Sequence, residues 1–568
     1  METSESGPEL PLELLPEILE HLPRANYLTR TALVNHTFHN ATVPQLYARA
    51  SIYSWHKEAK ARVIQLFRTL ASCPHLARYV RRLEIRDFPK NQLTDESRDA
   101  IYRGLRNCTN LRSCTWTRDG SLTTDILLAL SHGLSDEFAS SAFAYTDGGA
   151  PIEPRPVPTH SASVHSLREL EINGLSLLYD PRFLLRFEWL TKISIIMPSL
   201  EVTRILEKWV WVLGGRLKSL NLICKMSPLI TDDVLIRMAP SLKNLEFLHL
   251  TGCPKVTHQG IRAVLAENEA GIMNLGLEGV SPRLDLAQLL PTSTTNQYIL
   301  HNLRSLTLSI PPLHSTPSQI TSTQSYPLPL RAPRISATPT ENHTSTYGTT
   351  TTNLVPSHPG LTKYCSTLLT LLTHTDAGTA PSSSSSSSST LSPPNLTHFQ
   401  IYSPHMFFEP CSATRDLFRG LVDVHGGRLK RISVHRMLIG MDVIKEICAR
   451  CIALEEFFVV IEPGGLDELA DCIHLSKTLR TIHVNYPLEA HAEDGGIPVL
   501  RISEALQFVR RCAVSTLTQF GCNARVWHVN KRVYVTKGAG GEEAKECEVY
   551  LGPYESPDVP EQFLVVRT

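Results

Sequence analysis

At 568 residues the chain is too long for one globular core, unless it is an array that grows along an axis. Its 55 Lys+Arg offset 55 Asp+Glu, a balance that argues against counterion-driven nucleic-acid binding as the main task. No apolar run reaches the length of a membrane span, the acidic start (Glu2, Ser4, Glu5) is unlike a secretory leader, and 13 scattered cysteines fit reduced, packed thiols.

Residues 1–9 are expected to be disordered. From Leu10 the pattern turns helical, with Leu14, Leu15, Ile18, Leu19 and Leu22 on one broad stripe. Pro23 stops that helix, and Asn26 is placed to cap the next one. Three short helices in so few residues cannot close a core, so part of their apolar face should meet a partner. The plainer alternative is a cap on the array that follows. The stretch from Leu10 to Tyr47 resembles an F-box. The residues that carry the resemblance are Leu10-Pro11, Glu13-Leu14-Leu15, Ile18-Leu19, Leu22-Pro23, Leu28, Leu33-Val34 and Phe38, trailed by Pro44-Gln45-Leu46-Tyr47. Asn35 stands where a Cys is usual, and Phe38 where a Trp is usual. The resemblance implies that a module over 10–55 docks a Skp-type adaptor through Leu10, Pro11, Leu14, Ile18, Leu22, Leu28, Leu33, Val34 and Phe38. Through that adaptor the chain would join a cullin–RING ubiquitin ligase.

A Leu-x-x-Leu-x-Leu spacing then recurs over 56–310. It runs Val80-x-x-Leu83-x-Ile85, Leu111-x-x-Cys114-x-Trp116, Leu167-x-x-Leu170-x-Ile172 and Leu190-x-x-Ile193-x-Ile195. It continues through Leu217-x-x-Leu220-x-Leu222, Leu245-x-x-Leu248-x-Leu250, Ile272-x-x-Leu275-x-Leu277 and Leu303-x-x-Leu306-x-Leu308. Starts at Leu217, Leu245 and Ile272 lie 28 and 27 residues apart, in or near the period of roughly 20–29 residues that marks leucine-rich repeats. Each Leu-x-Leu is a short strand with alternate residues inward, followed by a return helix such as that opened by Thr257 and striped by Ile261, Val264 and Leu265. The stretch Leu248–Thr257 resembles the cysteine-containing subtype of this repeat, and Ile230–Leu235 looks like a second, less regular copy. The fold class expected is α/β: a leucine-rich-repeat solenoid, horseshoe-shaped, preceded by a three-helix module and interrupted by a disordered insertion.

That insertion spans 311–359, rich in Pro, Ser and Thr, with Arg331, Arg334 and Glu341 as its only charged residues. A repeat helix over 360–374 carries Leu361, Tyr364, Cys365, Leu368, Leu369, Leu371 and Leu372; a Ser-rich linker over 375–394 holds the run Ser382–Ser389. Thr316-Pro317, Thr338-Pro339 and Ser392-Pro393 read as plain spacer rather than as phosphate acceptors. The repeats resume over 395–525 from Leu396, Leu429, Leu454 and Leu479, with Val443, Ile444, Ile447 and Cys448 as a helical stripe. A C-terminal hairpin cap over 526–568 follows, turning at Gly538-Ala539-Gly540-Gly541 between Val533-Tyr534-Val535 and Glu548-Val549-Tyr550.

The outward strand positions form a face of mixed charge, suited to a protein rather than to bare nucleic acid. They include Arg82, Glu84, Arg86, Glu171, Lys192, Asn221, His249, Asn274, His398, Gln400, Arg431, Ser433, His435, Phe458 and His483. Of these, Arg82, Glu84, Arg86, Glu171, Asn221, His249, Arg431, His435, Phe458 and His483 are the candidate target contacts, with Phe458 as exposed anchor. The basic cluster Arg78, Arg81 and Arg82 reads as a solvated repeat edge. Cys448-Ala449-Arg450-Cys451 lacks a second pair and reads as packing, not zinc. His398, His435 and His483 could cluster, but without a carboxylate pattern. The glycines at 538–541 lack the Lys-Ser/Thr of a phosphate loop. No catalytic residue, cofactor or metal is expected, nor a nucleic-acid or membrane partner. The function expected is a non-catalytic substrate receptor of a Skp–cullin–F-box ligase, in cytosol or nucleus. The alternative is a leucine-rich scaffold with no link to ubiquitin.

Overall fold

The computed structural model describes residues 11–22, 25–54, 56–89, 93–131, 167–289, 300–312, 358–373, 393–404, 407–487, 499–537 and 543–554. The expectations for 1–9, Leu10, Pro23, most of the two linkers, the three Ser/Thr-Pro sites and the turn at 538–541 fall outside those residues. Two compact units are present, one built on the chain up to Lys255 with Ala263–Ala270, the other on Val256–Arg262 and Gly271–Tyr554.

The first unit opens with a 3-10 turn Leu12–Leu14 and the helices Leu15–Glu20, Ala25–Thr31 and His36–Ala48. Asn26 lies inside the second helix and caps nothing, a correction to the sequence expectation. The cap is instead Asn35, whose side chain accepts from the Phe38 N–H at 2.9 Å. The third helix runs straight into a strand, so the module is not purely helical: its end forms the first rung of the array.

Seven strands follow in chain order: β1 (Arg49–Ile52), β2 (Arg82–Ile85), β3 (Ser113–Trp116), β4 (Glu169–Asn173), β5 (Lys192–Ile196), β6 (Ser219–Ile223) and β7 (Phe247–Thr251). Each is parallel to the next, so Leu83, Cys114, Leu170, Ile193, Leu220 and Leu248 stand in one register column, and Ile85, Trp116, Ile172, Ile195, Leu222 and Leu250 in another. All twelve are buried. The two-residue side-chain period makes this inevitable once the strands pair in register. Ser/Thr caps start the return helices: Thr94, Thr123, Ser199 and Thr231 each accept from the N–H three residues on. The helix Leu200–Leu213 turns Val202, Leu206, Trp209, Val210 and Leu213 inward, and each such large side chain stabilises by about 1.5–3 kcal/mol on full burial.

The second unit holds β8 (Asn274–Glu278), β9 (Ser305–Ser309), β10 (His398–Tyr402), β11 (Arg431–His435), β12 (Glu456–Val460), β13 (Thr481–Asn485), β14 (Gln519–Cys522), β15 (Arg525–Lys537) and β16 (Glu543–Pro553). From β8 to β14 the pairing is parallel, aligning Leu275, Leu306, Phe399, Ile432, Phe457, Ile482 and Phe520 in one buried column. Because β9 pairs directly with β10, the long interruption is a detour on one connection of a continuous ladder. Its helix, Pro359–Thr373, packs beside Ser412–His425, and the helices Met441–Arg450, Leu466–Ile473 and Ile502–Cys512 continue that row. Strands β14, β15 and β16 are antiparallel. At their root Phe520 stacks between Phe508 (4.8 Å between centroids) and Trp527 (5.7 Å), which closes the core at that end. Both units are mixed α/β ladders of one recurring strand–helix element, consistent with a repeat solenoid.

Candidate functional site

The amino-terminal helices divide their leucines between two jobs. Leu15 and Leu19 are buried, and their helix packs on His36–Ala48 while the Gln45 side-chain amide donates to the Pro16 carbonyl. Leu14 and Ile18, one helical position away, stay exposed, as do Pro11, Leu12 and Tyr27. Leu33 and Val34, in the turn before the Asn35 cap, are 82% and 64% exposed. Leu22, Leu28 and Phe38 are half-buried. One stripe was expected; the close approach of the third helix splits it into a face that packs and a face left in water.

On the strand faces the expected target contacts separate into available and committed residues. Arg82 is exposed, and Arg86, Glu171, Asn221, His249, Arg431 and His435 are half-buried. Glu84 is buried at 2% exposure, which removes it as a free contact. It accepts from Arg49 at 2.9 Å, from the Tyr53 hydroxyl at 2.8 Å and pairs with Arg82 at 3.0 Å. Burial and the Glu84 carboxylate together push the Tyr53 phenol up to about 12. Tyr53 was missed because β1 precedes the first recognisable repeat. Arg86 donates to both oxygens of Glu171 at 3.3 and 3.2 Å, and Thr115 donates to the same carboxylate at 3.2 Å. Asn221 reaches sideways to the Ser194 hydroxyl at 3.1 Å.

In the second unit Phe458 is not an exposed anchor: its exposure, like that of His483, is 0%. The Phe458 ring stacks on His483 (5.8 Å), lies 6.3 Å from His435 and carries the Arg431 guanidinium over its face at 5.1 Å. Gly521 makes room for this: a Cβ there would come within 1.9 Å of His483 Nδ1. On its other side His483 Nε2 is 3.0 Å from the Asn523 carbonyl. Desolvation pulls both imidazoles down to about 4, with His435 further disfavouring a charge on His483. His398 lies at the opposite end of its strand, 2.8 Å from the Thr397 hydroxyl. The three histidines therefore do not converge, and among the described residues no group of three His, Cys, Asp or Glu side chains is placed to hold a metal ion.

Cys448 and Cys451 are buried in helix packing, and burial raises both thiols, Cys451 to about 12. Among the described residues no helix is long and apolar enough to cross a membrane. What the geometry offers is surface: an apolar face at the start of the chain, and strand faces whose charges are largely paired within the protein.

No family model matches the sequence, and no curated protein matches it. A solved structure described as the crystal structure of the Rad7 and Elc1 complex in yeast is similar at 13% identity and a TM-score of 0.31, over 60% of this chain and 82% of that one.

Proposed function

We propose that this chain is the non-catalytic, target-holding subunit of a Skp–cullin–F-box ubiquitin ligase, working inside the cell. The carrying observation is that Leu14, Ile18, Leu33 and Val34, at positions where the sequence resembles an F-box, stand in water while their neighbours Leu15 and Leu19 are buried. A module that only capped an array would gain by burying these side chains, each worth about 1.5–3 kcal/mol when fully covered. An adaptor covering them supplies that burial. The strand faces would hold the target, and the ligase gains rate because a lysine is kept near a ubiquitin-charged enzyme at high effective concentration. No residue of this chain does bond chemistry in that scheme.

The test is co-purification with a Skp-type adaptor. Ile18→Asp is expected to abolish it without changing the thermal midpoint of the isolated chain, since an exposed position carries little folding energy. Leu19→Asp should instead unfold the module. Undiminished adaptor recovery with Ile18→Asp would remove the ligase reading and leave the scaffold.

A further inference from the structure

Among the outward residues of the first unit, arginines are matched with carboxylates: Arg49 and Arg82 with Glu84, Arg86 with Glu171, Arg118 with Asp87. The rung edge just ahead of the strands breaks that rule. The Arg112 N–H donates to the Arg81 carbonyl at 2.7 Å, and the Arg168 N–H to the Arg112 carbonyl at 2.7 Å. Three arginines that are distant in the chain thus occupy consecutive rungs, with backbones roughly 4.8 Å apart. All three are exposed. Among the described residues no carboxylate lies within ion-pair distance of Arg81 or Arg112. Arg168 leans on Trp189, donating to its carbonyl at 3.2 Å with the guanidinium 5.8 Å from the ring. The next rung position holds Thr191, whose N–H donates to the Arg168 carbonyl at 2.7 Å, and Arg216, in the turn Gly214–Arg216, lies beside the row over the same Trp189 ring at 4.7 Å.

Two acids lie beside the row: Glu169 accepts from the Ser113 hydroxyl at 3.1 Å, and the Glu188 carboxylate interacts with Arg216. Among the described residues neither forms an ion pair with Arg81, Arg112 or Arg168. Elsewhere the same position is balanced. Lys218 pairs with Glu246 at 2.7 Å, and in the second unit Lys430 pairs with Glu455 at 3.2 Å. There the rungs alternate Arg304, Thr397, Lys430, Glu455, Arg480 and Thr518. Like charges on adjacent rungs repel, so an unbroken row is an arrangement that an anionic ligand would relieve.

We propose that Arg81, Arg112, Arg168 and Arg216 form a docking strip for an acidic, Asp/Glu-rich segment of the target protein, lying across the strand starts of the first unit. The fork of each guanidinium suits a carboxylate, and Trp189 holds two of the four in place. An acidic peptide is favoured over nucleic acid because the chain as a whole carries no net charge to steer a polyanion. The proposal rests on the reading of the chain as a target holder, but its test needs no adaptor, so the two can fail separately.

The experiment is fluorescence anisotropy on the full chain with a labelled glutamate-rich peptide, its glutamine counterpart and a uridine oligomer of equal charge. The glutamate peptide should bind at least about tenfold tighter than the glutamine one, with affinity falling as salt rises from about 0.01 to 0.15 M. Arg112→Gln with Arg168→Gln should abolish that difference, whereas Arg98→Gln with Arg103→Gln, on a helix of the same unit, should leave it intact. Matching thermal midpoints show that the variants fold. Equal binding of the two peptides, unchanged binding by the Arg112/Arg168 variant, or tighter binding of the oligomer would overturn the proposal. So would loss of adaptor co-purification in that variant, which would assign the strip to adaptor docking.

Discussion

His483 and His435 illustrate how a residue's neighbours redefine it. Both titrate near 6.5 in an unfolded chain, yet in the fold desolvation beside Phe458 holds them near 4. As pH falls through 6.5 the unfolded chain takes up protons that the folded one refuses until about pH 4. Stability conferred by the neutral imidazoles is therefore complete above 6.5 and lost progressively down to about 4. A shift of this size corresponds to on the order of 3 kcal/mol for one imidazole. Denaturant midpoints measured from pH 7 to pH 4.5 should fall, and His483→Gln should flatten that fall. A pH dependence identical in the variant would contradict the buried neutral state. The partner glycine is equally constrained, since Gly521→Ala would drive a methyl into the His483 ring. Period-two reading of the strands placed Phe458 and His483 on the outward side. It could not register that Arg431, His435 and Gly521, supplied by other strands, enclose them.

At the scale of elements, the amino-terminal helices explain both what was readable and what was not. Apolar spacing located the first helix, and the Leu-Pro punctuation separated it from the next. Which leucines pack was decided by the helix His36–Ala48, which covers Leu15 and Leu19 and leaves Leu14 and Ile18 bare. Asn35 has a local role, because its side chain caps that covering helix. Asn35→Ala should cost about 1 kcal/mol, read as increased amide exchange at Phe38 and His39. Unaltered exchange there would show that the cap contributes nothing. Turns between repeats use the same economy. Thr478 donates to the carbonyls of Ile452 and Leu454, and Thr516 to those of Lys477 and Leu479, so these two repeats are each tied to the one before by a hydroxyl, while the Asn107 and Asn268 amides do the same elsewhere.

Across the whole molecule, stability in such a ladder is close to a sum of neighbour terms. Phe457, in the middle of its core column, is fully buried and stands in register between Ile432 and Ile482. Phe457→Ala should cost about 3–5 kcal/mol. Hydrogen exchange should accelerate most in β11, β12 and β13, with β8 and β9 much less affected. Uniform acceleration across the second unit would instead mark it as one cooperative block. The ion pairs between consecutive helices, such as Arg419 with Asp442 and Glu446, or Arg511 with Asp467 and Asp471, are exposed and add little. The inward columns carry the fold.

Those columns were determined by the sequence alone, because a Leu-x-x-Leu-x-Leu spacing is local, and the two-residue period of a strand converts it directly into one buried face. The interruption before β10 was legible for the same reason: the spacing stops and resumes in phase. Adjacency between rungs was not legible. Arg81 reads as one member of a local basic cluster and Arg112 and Arg168 as separate cations far along the chain, and only parallel pairing in register sets the three side by side. Solvent access was likewise decided in three dimensions, since burial of Glu84, Phe458 and His483 depends on side chains reaching across from neighbouring strands. Periodicity assigns a residue to a face; the atoms stacked beside it determine whether that face meets water.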